Sequence, residues 1–324
     1  MKILITGGAG FIGSYLAEKL LSFVDNEIFV IDNLSTGDFK NVEHLTKNER
    51  FHCIIESILN ESVVEEAVKN CDIVYHLAAA VGVKLVVEQP SKTIETNILG
   101  TQIVLKMCSR YHKKVLLIST SEVYGKGMRE RFSEEDDCTI GPPNKKRWSY
   151  AASKAMEEYL AFAYYYEKQL PIIIVRLFNT IGLRQRGRYG MVVPTLIKQA
   201  LSNKTLTVYG DGKQTRTFLA VDDAVEALIL LMQHPKAVGE VFNIGGEQEI
   251  RIEDLARLII RLAESSSAIK YIPYLEAYGE DFEDMSRRLP DISKINSLAG
   301  FKPKFSLEET LQKIIAFHRF NLNK

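Results

Sequence analysis

Lys2-Ile3-Leu4-Ile5-Thr6-Gly7-Gly8-Ala9-Gly10-Phe11-Ile12-Gly13 opens the chain, and its reading decides the fold. A short β-prone run ends on glycines and passes straight into Phe11–Leu21, an amphipathic stretch of helical spacing. A strand that turns directly into a helix is the first half of a crossover connection, and the alternation continues down the chain. Ile28–Ile31, Ile73–His76, Val115–Ser119 and Ile172–Arg176 read as strands, with Val63–Lys69, Thr93–Tyr111 and Tyr150–Glu167 as helices between them. The strands at Ile73, Val115 and Ile172 are apolar on both faces, as parallel strands covered by helices above and below should be. The sequence therefore predicts an α/β fold, a Rossmann-like doubly wound parallel sheet. Beyond Arg176 the pattern loosens into Gly182, Gly187, Gly190 and Pro194, a helical run Val193–Leu201, a turn at Tyr209-Gly210-Asp211-Gly212 and a helix from Asp222 to Met232. Val241–Ile244 reads as a strand returning to the sheet, and Ile252–Leu262 as a helix. The expected division is a nucleotide-binding domain of residues 1–178 plus about 218–245, interleaved with a smaller substrate-binding lobe of residues 179–217 and 246–324.

Composition narrows the function classes. The 324 residues are 46% hydrophobic and 25% charged, enough apolar content for a folded core. Lys+Arg and Asp+Glu are both 41, and no basic run is present, which argues against a nucleic-acid partner. No stretch approaches the roughly 18 apolar residues of a membrane span, and Ile3-Leu4-Ile5 is too short for a signal-peptide core, so a cytoplasmic location is expected. Cys53, Cys71, Cys108 and Cys138 lack zinc-ligand spacing, so neither a metal nor a disulfide is expected.

The glycines Gly7, Gly10 and Gly13 sit where a strand-to-helix turn lets a pyrophosphate approach the backbone, with free N–H groups and the helix dipole favouring an anion. Nineteen residues beyond Gly13, at the end of the second strand, stands Asp32, followed by Asn33 and by no arginine. A carboxylate there accepts hydrogen bonds from ribose hydroxyls and repels a 2′-phosphate, which points to NAD rather than NADP.

Tyr150 and Lys154 are spaced to share one helix face. The same spacing recurs at Tyr15/Lys19, Tyr164/Lys168 and Tyr209/Lys213, so position must decide. Only Tyr150 begins a helix that precedes a sheet strand, about one βα unit after Ile118-Ser119-Thr120-Ser121-Glu122, near the C-terminal edge where cofactor sites form. A phenol is a poor base at neutral pH unless a cation stabilises its anion, and Lys154 and an oxidised nicotinamide would both do so. Tyr150 would then take a hydroxyl proton while hydride leaves the same carbon, with Thr120 holding the oxygen.

These residues resemble the extended short-chain dehydrogenase/reductase family that acts on nucleotide sugars, the NAD-dependent epimerases and dehydratases. The likeness runs along essentially the whole chain: Thr6–Gly13, His76-Leu77-Ala78-Ala79, Thr96-Asn97-Ile98-Leu99-Gly100-Thr101, Ser119–Gly125, Tyr150-Ala151-Ala152-Ser153-Lys154, Arg176-Leu177-Phe178-Asn179 and Val208–Gly212. The resemblance implies an NAD site of Gly7, Gly10, Phe11, Ile12, Gly13, Asp32, Asn33, Leu77, Ala78, Ala79, Asn97, Ser119, Tyr150 and Lys154. It implies a UDP-sugar site in which Asn179 and Arg216 hold the diphosphate, Tyr209 and the segment around Val193 line the base, and Lys84 lies near the sugar. Ser57 departs from the family, which often has an aspartate there against adenine.

Three reactions of that family begin with oxidation at C4 of the sugar: 4-epimerisation, 4,6-dehydration and decarboxylation at C5. Dehydratases of the family carry Asp-Glu after the threonine; Ser121-Glu122 here lacks the acid for water loss. Ser119-Thr120-Ser121-Glu122-Val123-Tyr124-Gly125, Arg147-Trp148-Ser149-Tyr150 and Arg288-Leu289-Pro290-Asp291 look like UDP-glucuronate decarboxylases (UDP-xylose synthases), with Tyr150, Lys154, Thr120, Ser121, Glu122 and Arg288 as the catalytic set. Ala80-Val81-Gly82-Val83-Lys84 looks more like the UDP-sugar 4-epimerases, which stay open as the alternative. A protein that binds NAD without turnover is disfavoured, because Thr120, Tyr150 and Lys154 are all present. The helices around Thr93–Tyr111 and Tyr150–Glu167, with Phe162, Tyr164, Tyr165 and Tyr166, resemble those that pair in this family as a four-helix bundle, which implies a homodimer.

Overall fold

Seven parallel strands form the centre of the computed structural model, which describes residues 1–187, 191–278, 283, 285 and 287–322. In chain order the first half runs β1 (Lys2–Thr6), α1 (Phe11–Leu21), β2 (Glu27–Ile31), β3 (Phe51–Ile54), α2 (Glu61–Lys69), β4 (Ile73–His76), α3 (Val83–Glu88), α4 (Pro90–Arg110), β5 (Lys114–Thr120), α5 (Trp148–Lys168) and β6 (Ile172–Leu177). The second half runs β7 (Thr180–Ile181), α6 (Val192–Leu201), β8 (Leu206–Tyr209), β9 (Thr215–Thr217), β10 (Leu219–Ala220), α7 (Val221–Gln233), β11 (Glu240–Ile244), β12 (Glu249–Arg251) and α8 (Ile252–Leu262). It ends with β13 (Ile269–Ile272), α9 (Tyr274–Tyr278), β14 (Arg287–Arg288), α10 (Ser293–Ala299) and α11 (Leu307–Leu322).

The sheet order is β11-β6-β5-β4-β1-β2-β3. Chain direction along the sheet reverses between β1 and β4, and the crevice outside their C-terminal ends is where ligands bind in such sheets. Both faces are covered. Leu16 and Leu20 of α1 join Ala224 and Leu228 of α7 in one core, and Val64 and Val68 of α2 join Val104 and Leu105 of α4 in the other. Every residue of β6 is buried, which explains why its sequence is apolar apart from Arg176. A third core, away from the sheet, packs Leu196 and Ile197 of α6 against Leu255 and Ile259 of α8 and Leu311 and Ile315 of α11.

The predicted doubly wound sheet is present, and the helix predicted at Ile252–Leu262 matches to the residue. The reading missed β3, a four-residue edge strand whose His52 and Cys53 interrupt any apolar run. It also missed α3, α10 and α11 and the short strands β8, β9, β12, β13 and β14, whose two to four residues leave too little periodicity to read. Of the aromatic cluster on α5, Phe162, Tyr164 and Tyr165 pack partly against the core, while Tyr166 is exposed. Among the described residues no helix is long and apolar enough to cross a membrane.

Behind the C-terminal edge, α5 is fastened to the sheet by charge. Arg176 of β6 donates to Glu158 Oε2 at 2.7 Å, Glu158 also accepts from the Ser119 hydroxyl, and both charged groups are almost fully buried. Removing one partner of a buried pair leaves the other uncompensated. Glu158→Ala should therefore lower unfolding free energy by about 3–5 kcal/mol, read from urea denaturation followed by circular dichroism.

Candidate active site

The turn after β1 is built without side chains because there is no room for them. Gly7 has φ +73°, and a Cβ there would meet the Ala78 backbone nitrogen at 2.7 Å; a Cβ on Gly13 would meet the Gly7 oxygen at 2.2 Å. Gly10 begins α1 in extended conformation and supplies no side-chain cap, so the helix N-terminus faces the crevice as a dipole and a set of N–H groups. Asp32, just beyond β2, accepts from Ala9 N at 3.0 Å and from Leu34 N at 2.8 Å. Burial pushes its carboxyl up, and the N–H groups of Leu34, Ala9 and Gly10 pull it back. A cradle closed to any Cβ, a helix N-terminus and a carboxylate at the next strand end suit a dinucleotide with free ribose hydroxyls.

The crevice opens into a cavity of about 920 Å³ that joins the two ends of the predicted site. Gly7, Gly10, Phe11, Ile12, Gly13, Asp32, Asn33, Leu77, Ala78, Ala79 and Ser119 line one end. Thr120, Ser121, Glu122, Tyr150 and Lys154 form the middle, and Asn179, Val193, Tyr209, Arg216 and Arg288 the other end. Asn97 stands behind the wall: its Oδ1 accepts from Ala80 N at 2.8 Å and its Nδ2 donates to Ser153 Oγ at 3.1 Å, so it supports the site without facing the cavity. Lys84 falls in α3, and its side chain lies outside the described residues. Ser57 does not line the cavity; its neighbours Glu56 and Ile58 do.

Thr120 ends β5 and caps the short turn Ser121–Tyr124, its hydroxyl accepting from Glu122 N at 3.3 Å. Burial is the largest influence on the neighbouring Tyr150 and pushes its phenol up, the Glu122 and Glu157 charges push it further, and Arg147 and the Thr120 side chain act against them. Lys154 Nζ donates to Glu157 Oε2 at 2.5 Å. His76, under the same region, is pushed down to about 3 by burial and then by the Lys154 charge.

Glu122 is the centre of a cationic cluster. It accepts from both terminal nitrogens of Arg147, one of them at 2.9 Å, and from Arg288 Nη1 at 3.4 Å. Burial alone would raise its carboxyl, but Arg147, Arg288 and Arg216 hold it at about 2. Arg216 and Arg288 are aligned partners on the parallel strands β9 and β14. Sequence reading named Glu122, Arg288 and Arg216 but gave Arg147 no contact and did not name Glu157; their signals were proximity to Tyr150 and an i, i+3 spacing from Lys154. It also missed Arg184 and Arg186, which line the cavity and reach back to Glu18 and Asp38 across the nucleotide end.

The family described as GDP-mannose 4,6 dehydratase matches residues 4–314 of the chain. A UDP-N-acetyl-alpha-D-glucosaminuronate decarboxylase of Bacillus cytotoxicus is 44% identical over 319 residues, 98% of each chain. UDP-glucuronic acid decarboxylase 1 of Xenopus tropicalis is 39% identical over 99% of this chain and 73% of its own. The solved structure of UDP-glucuronic acid 4-epimerase from Bacillus cereus, in complex with UDP-glucuronic acid and NAD, superposes with a TM-score of 0.88 at 32% identity, over 99% of this chain and 100% of that one.

Two outcomes test this geometry. Gly13→Ala should strip bound dinucleotide from the purified protein, read by absorbance of the heat-released supernatant, because the added methyl cannot coexist with the Gly7 oxygen. The second concerns pH. Glu122 lies below its ordinary value of 4.5 when folded, so its contribution to stability is fully present above about that pH and is lost as pH falls toward about 2. Glu122→Gln should thus lower the unfolding temperature at pH 7, and the difference from the parent should shrink progressively as the pH is taken below 4.5.

Proposed function

The chain belongs to the GDP-mannose 4,6-dehydratase family of NAD-dependent epimerases and dehydratases, and within it we propose that this enzyme decarboxylates a UDP-hexuronate, with UDP-glucuronate as the parent substrate. The observation that carries the reading is the cluster at Glu122: Arg147, Arg288 and Arg216 surround one carboxylate beside Tyr150. Guanidiniums gathered along the cavity wall suit a substrate with a diphosphate at one end and a carboxylate at C5. The full-length relatives that act on such substrates support it. The Bacillus cytotoxicus relative brings the 2-acetamido analogue into the same substrate class.

The cofactor is NAD, which when bound would supply a hydride acceptor and donor for C4. The glycine turn would hold its diphosphate and Asp32 its ribose. Tyr150 removes the C4 hydroxyl proton, and the Thr120 hydroxyl holds the same oxygen. Once C4 is a ketone the carboxylate is β to a carbonyl, and CO2 leaves to give an enolate whose oxygen Thr120 and Tyr150 stabilise. Arg288 and Glu122 stand at C5, where CO2 departs and a proton taken up from solvent replaces it. Tyr150 returns its proton to the C4 oxygen, so the cycle closes without net redox change.

We further propose that residues 1–178 and about 218–245 form the NAD-binding domain, and 179–217 and 246–324 the nucleotide-sugar lobe; β11 completing the seven-stranded sheet supports this division. A cytoplasmic location goes with this reading, and the four free cysteines accord with a reducing compartment. We propose a homodimer through a four-helix bundle of α4 and α5: Leu99 on α4 and Met156, Tyr159 and Tyr166 on α5 are exposed large apolar residues. Sedimentation velocity at micromolar concentration should give a dimer, and Tyr159→Glu should shift it to monomer.

The deciding assay incubates the NAD-loaded enzyme separately with UDP-glucuronate, UDP-N-acetylglucosaminuronate and UDP-glucose, with products followed by mass spectrometry and proton NMR. Loss of one CO2 from a uronate is expected, and Tyr150→Phe should reduce its rate by about 10²–10⁴-fold. Unchanged mass with inversion at C4 would overturn decarboxylation in favour of 4-epimerisation.

A further inference from the structure

Glu157 has no part in the roles assigned above, yet it is 1% exposed, lies one turn beyond Lys154 on α5, and accepts the 2.5 Å hydrogen bond from Lys154 Nζ on its Oε2. Its Oε1 has no hydrogen-bond partner within normal distance among the described residues. A carboxylate withdrawn from water in this way is costly to the fold, so its placement on the lysine of the acid–base pair calls for a reason.

The groups around the pair can be taken element by element. On α5 itself are Tyr150 and Glu158; from α4 come Thr101 and Asn97; from β4 comes His76; from the end of β5 and the turn after it come Ser119, Thr120 and Glu122; and Arg147 precedes the helix. His76 contributes no charge near neutral pH, its two ring nitrogens being engaged by Thr6 Oγ1 at 2.6 Å and Thr101 Oγ1 at 2.9 Å. Glu158 is matched by Arg176, and Glu122 by Arg147 and Arg288. Glu157 is thus the anion in direct contact with the Lys154 ammonium.

We infer that Glu157 is a positioning residue for the acid–base step: its carboxylate fixes the Lys154 ammonium and offsets its charge, and so sets the pH range in which Tyr150 works. This deepens the reading proposed above and rests on Tyr150 and Lys154 being its acid–base pair. An ammonium acting alone on a buried phenol favours the phenolate strongly; one paired with a carboxylate favours it less. The reaction needs that restraint, because the same Tyr150 oxygen must take a proton from C4 and give it back, and a phenolate made too stable returns its proton poorly. The Glu157 charge is indeed among the influences that raise the Tyr150 phenol.

The test compares the NAD-loaded parent with Glu157→Gln, Glu157→Asp and Tyr150→Phe, by the pH dependence of kcat/KM and by phenolate absorbance taken as a difference from Tyr150→Phe. Glu157→Gln should move both the acid limb of the profile and the phenolate titration to lower pH by about half to one unit, and Glu157→Asp, which keeps the charge, should restore the parent limb. A limb that stays in place while kcat falls, or one that moves to higher pH, overturns the inference and leaves Glu157 a structural residue. Full activity in Tyr150→Phe would instead refute the acid–base reading beneath it. If Glu157→Gln is too unstable to assay, Glu157→Met, a neutral and apolar replacement of similar size, takes its place with Lys154 retained. The phenolate then titrates at lower pH than in the parent if Glu157 offsets the Lys154 charge, and an unmoved titration overturns the inference.

Discussion

A charge taken out of water must be matched, and most of this site follows from that constraint. One stripe of α5 carries Tyr150, Lys154, Glu157 and Glu158, all buried, at spacings that keep them on the side of the helix facing the protein interior. The charged members of the stripe beyond the phenol are matched: Glu157 for Lys154, Arg176 and Ser119 for Glu158. Apolar packing alone would allow the helix to slide or turn slightly against the sheet. Directional bonds from Glu158 to the ends of β5 and β6 oppose that freedom, so the phenol is placed beside Thr120 by the same contacts that keep the helix on the sheet.

The opposite wall solves the converse problem of keeping several cations close together. In the parallel pair β9–β14, Arg216 is aligned with Arg288 and Thr215 with Arg287, and strand alternation sends the two pairs to opposite faces. Glu249 takes the outer pair, accepting from Arg287 Nε at 2.6 Å and from the Thr215 hydroxyl at 2.5 Å. The inner arginines remain facing the cavity and Glu122. The outer carboxylate therefore secures two short strands that have little apolar area of their own, and those strands present the guanidiniums to the cavity.

Sequence alone made the sheet legible because each of its features has a short-range signature. A glycine turn between Thr6 and Phe11 has to look as it does, since Cβ atoms at Gly7 and Gly13 would collide with backbone. The fully buried β6 has to be apolar wherever no ion pair awaits it, as one does at Arg176. Tyr150 and Lys154 were singled out from three pairs of equal spacing by where a βα unit begins its helix, and both line the cavity. What could not be read were contacts between distant segments: Arg147 and Arg288 meeting on Glu122 across 141 positions of chain, or Arg186 reaching Asp38. Glu157 was hidden differently. Its spacing from Lys154 is that of an ordinary surface ion pair, and only the packing of α4 over α5 removes it from water.

The same long-range contacts bear on the fate of the oxidised sugar. Inverting C4 requires the ketone to present its other face to the hydride, so the hexose must turn within the cavity while its diphosphate stays bound. Decarboxylation requires no turning, since hydride returns to the face it left. In the proposed arrangement Arg216 and Asn179 hold one end of the substrate, and Arg288 stands with Glu122 at the carboxylate of the other. Asn179 is itself anchored to the Thr217 carbonyl at 2.8 Å, next to Arg216 on β9. A ring fixed at both ends is opposed in rotating but free to lose a carboxylate that lies β to its ketone. In the proposed arrangement it is the charge cluster at Glu122, more than the acid–base pair common to both reactions, that would oppose the turn which 4-epimerisation needs.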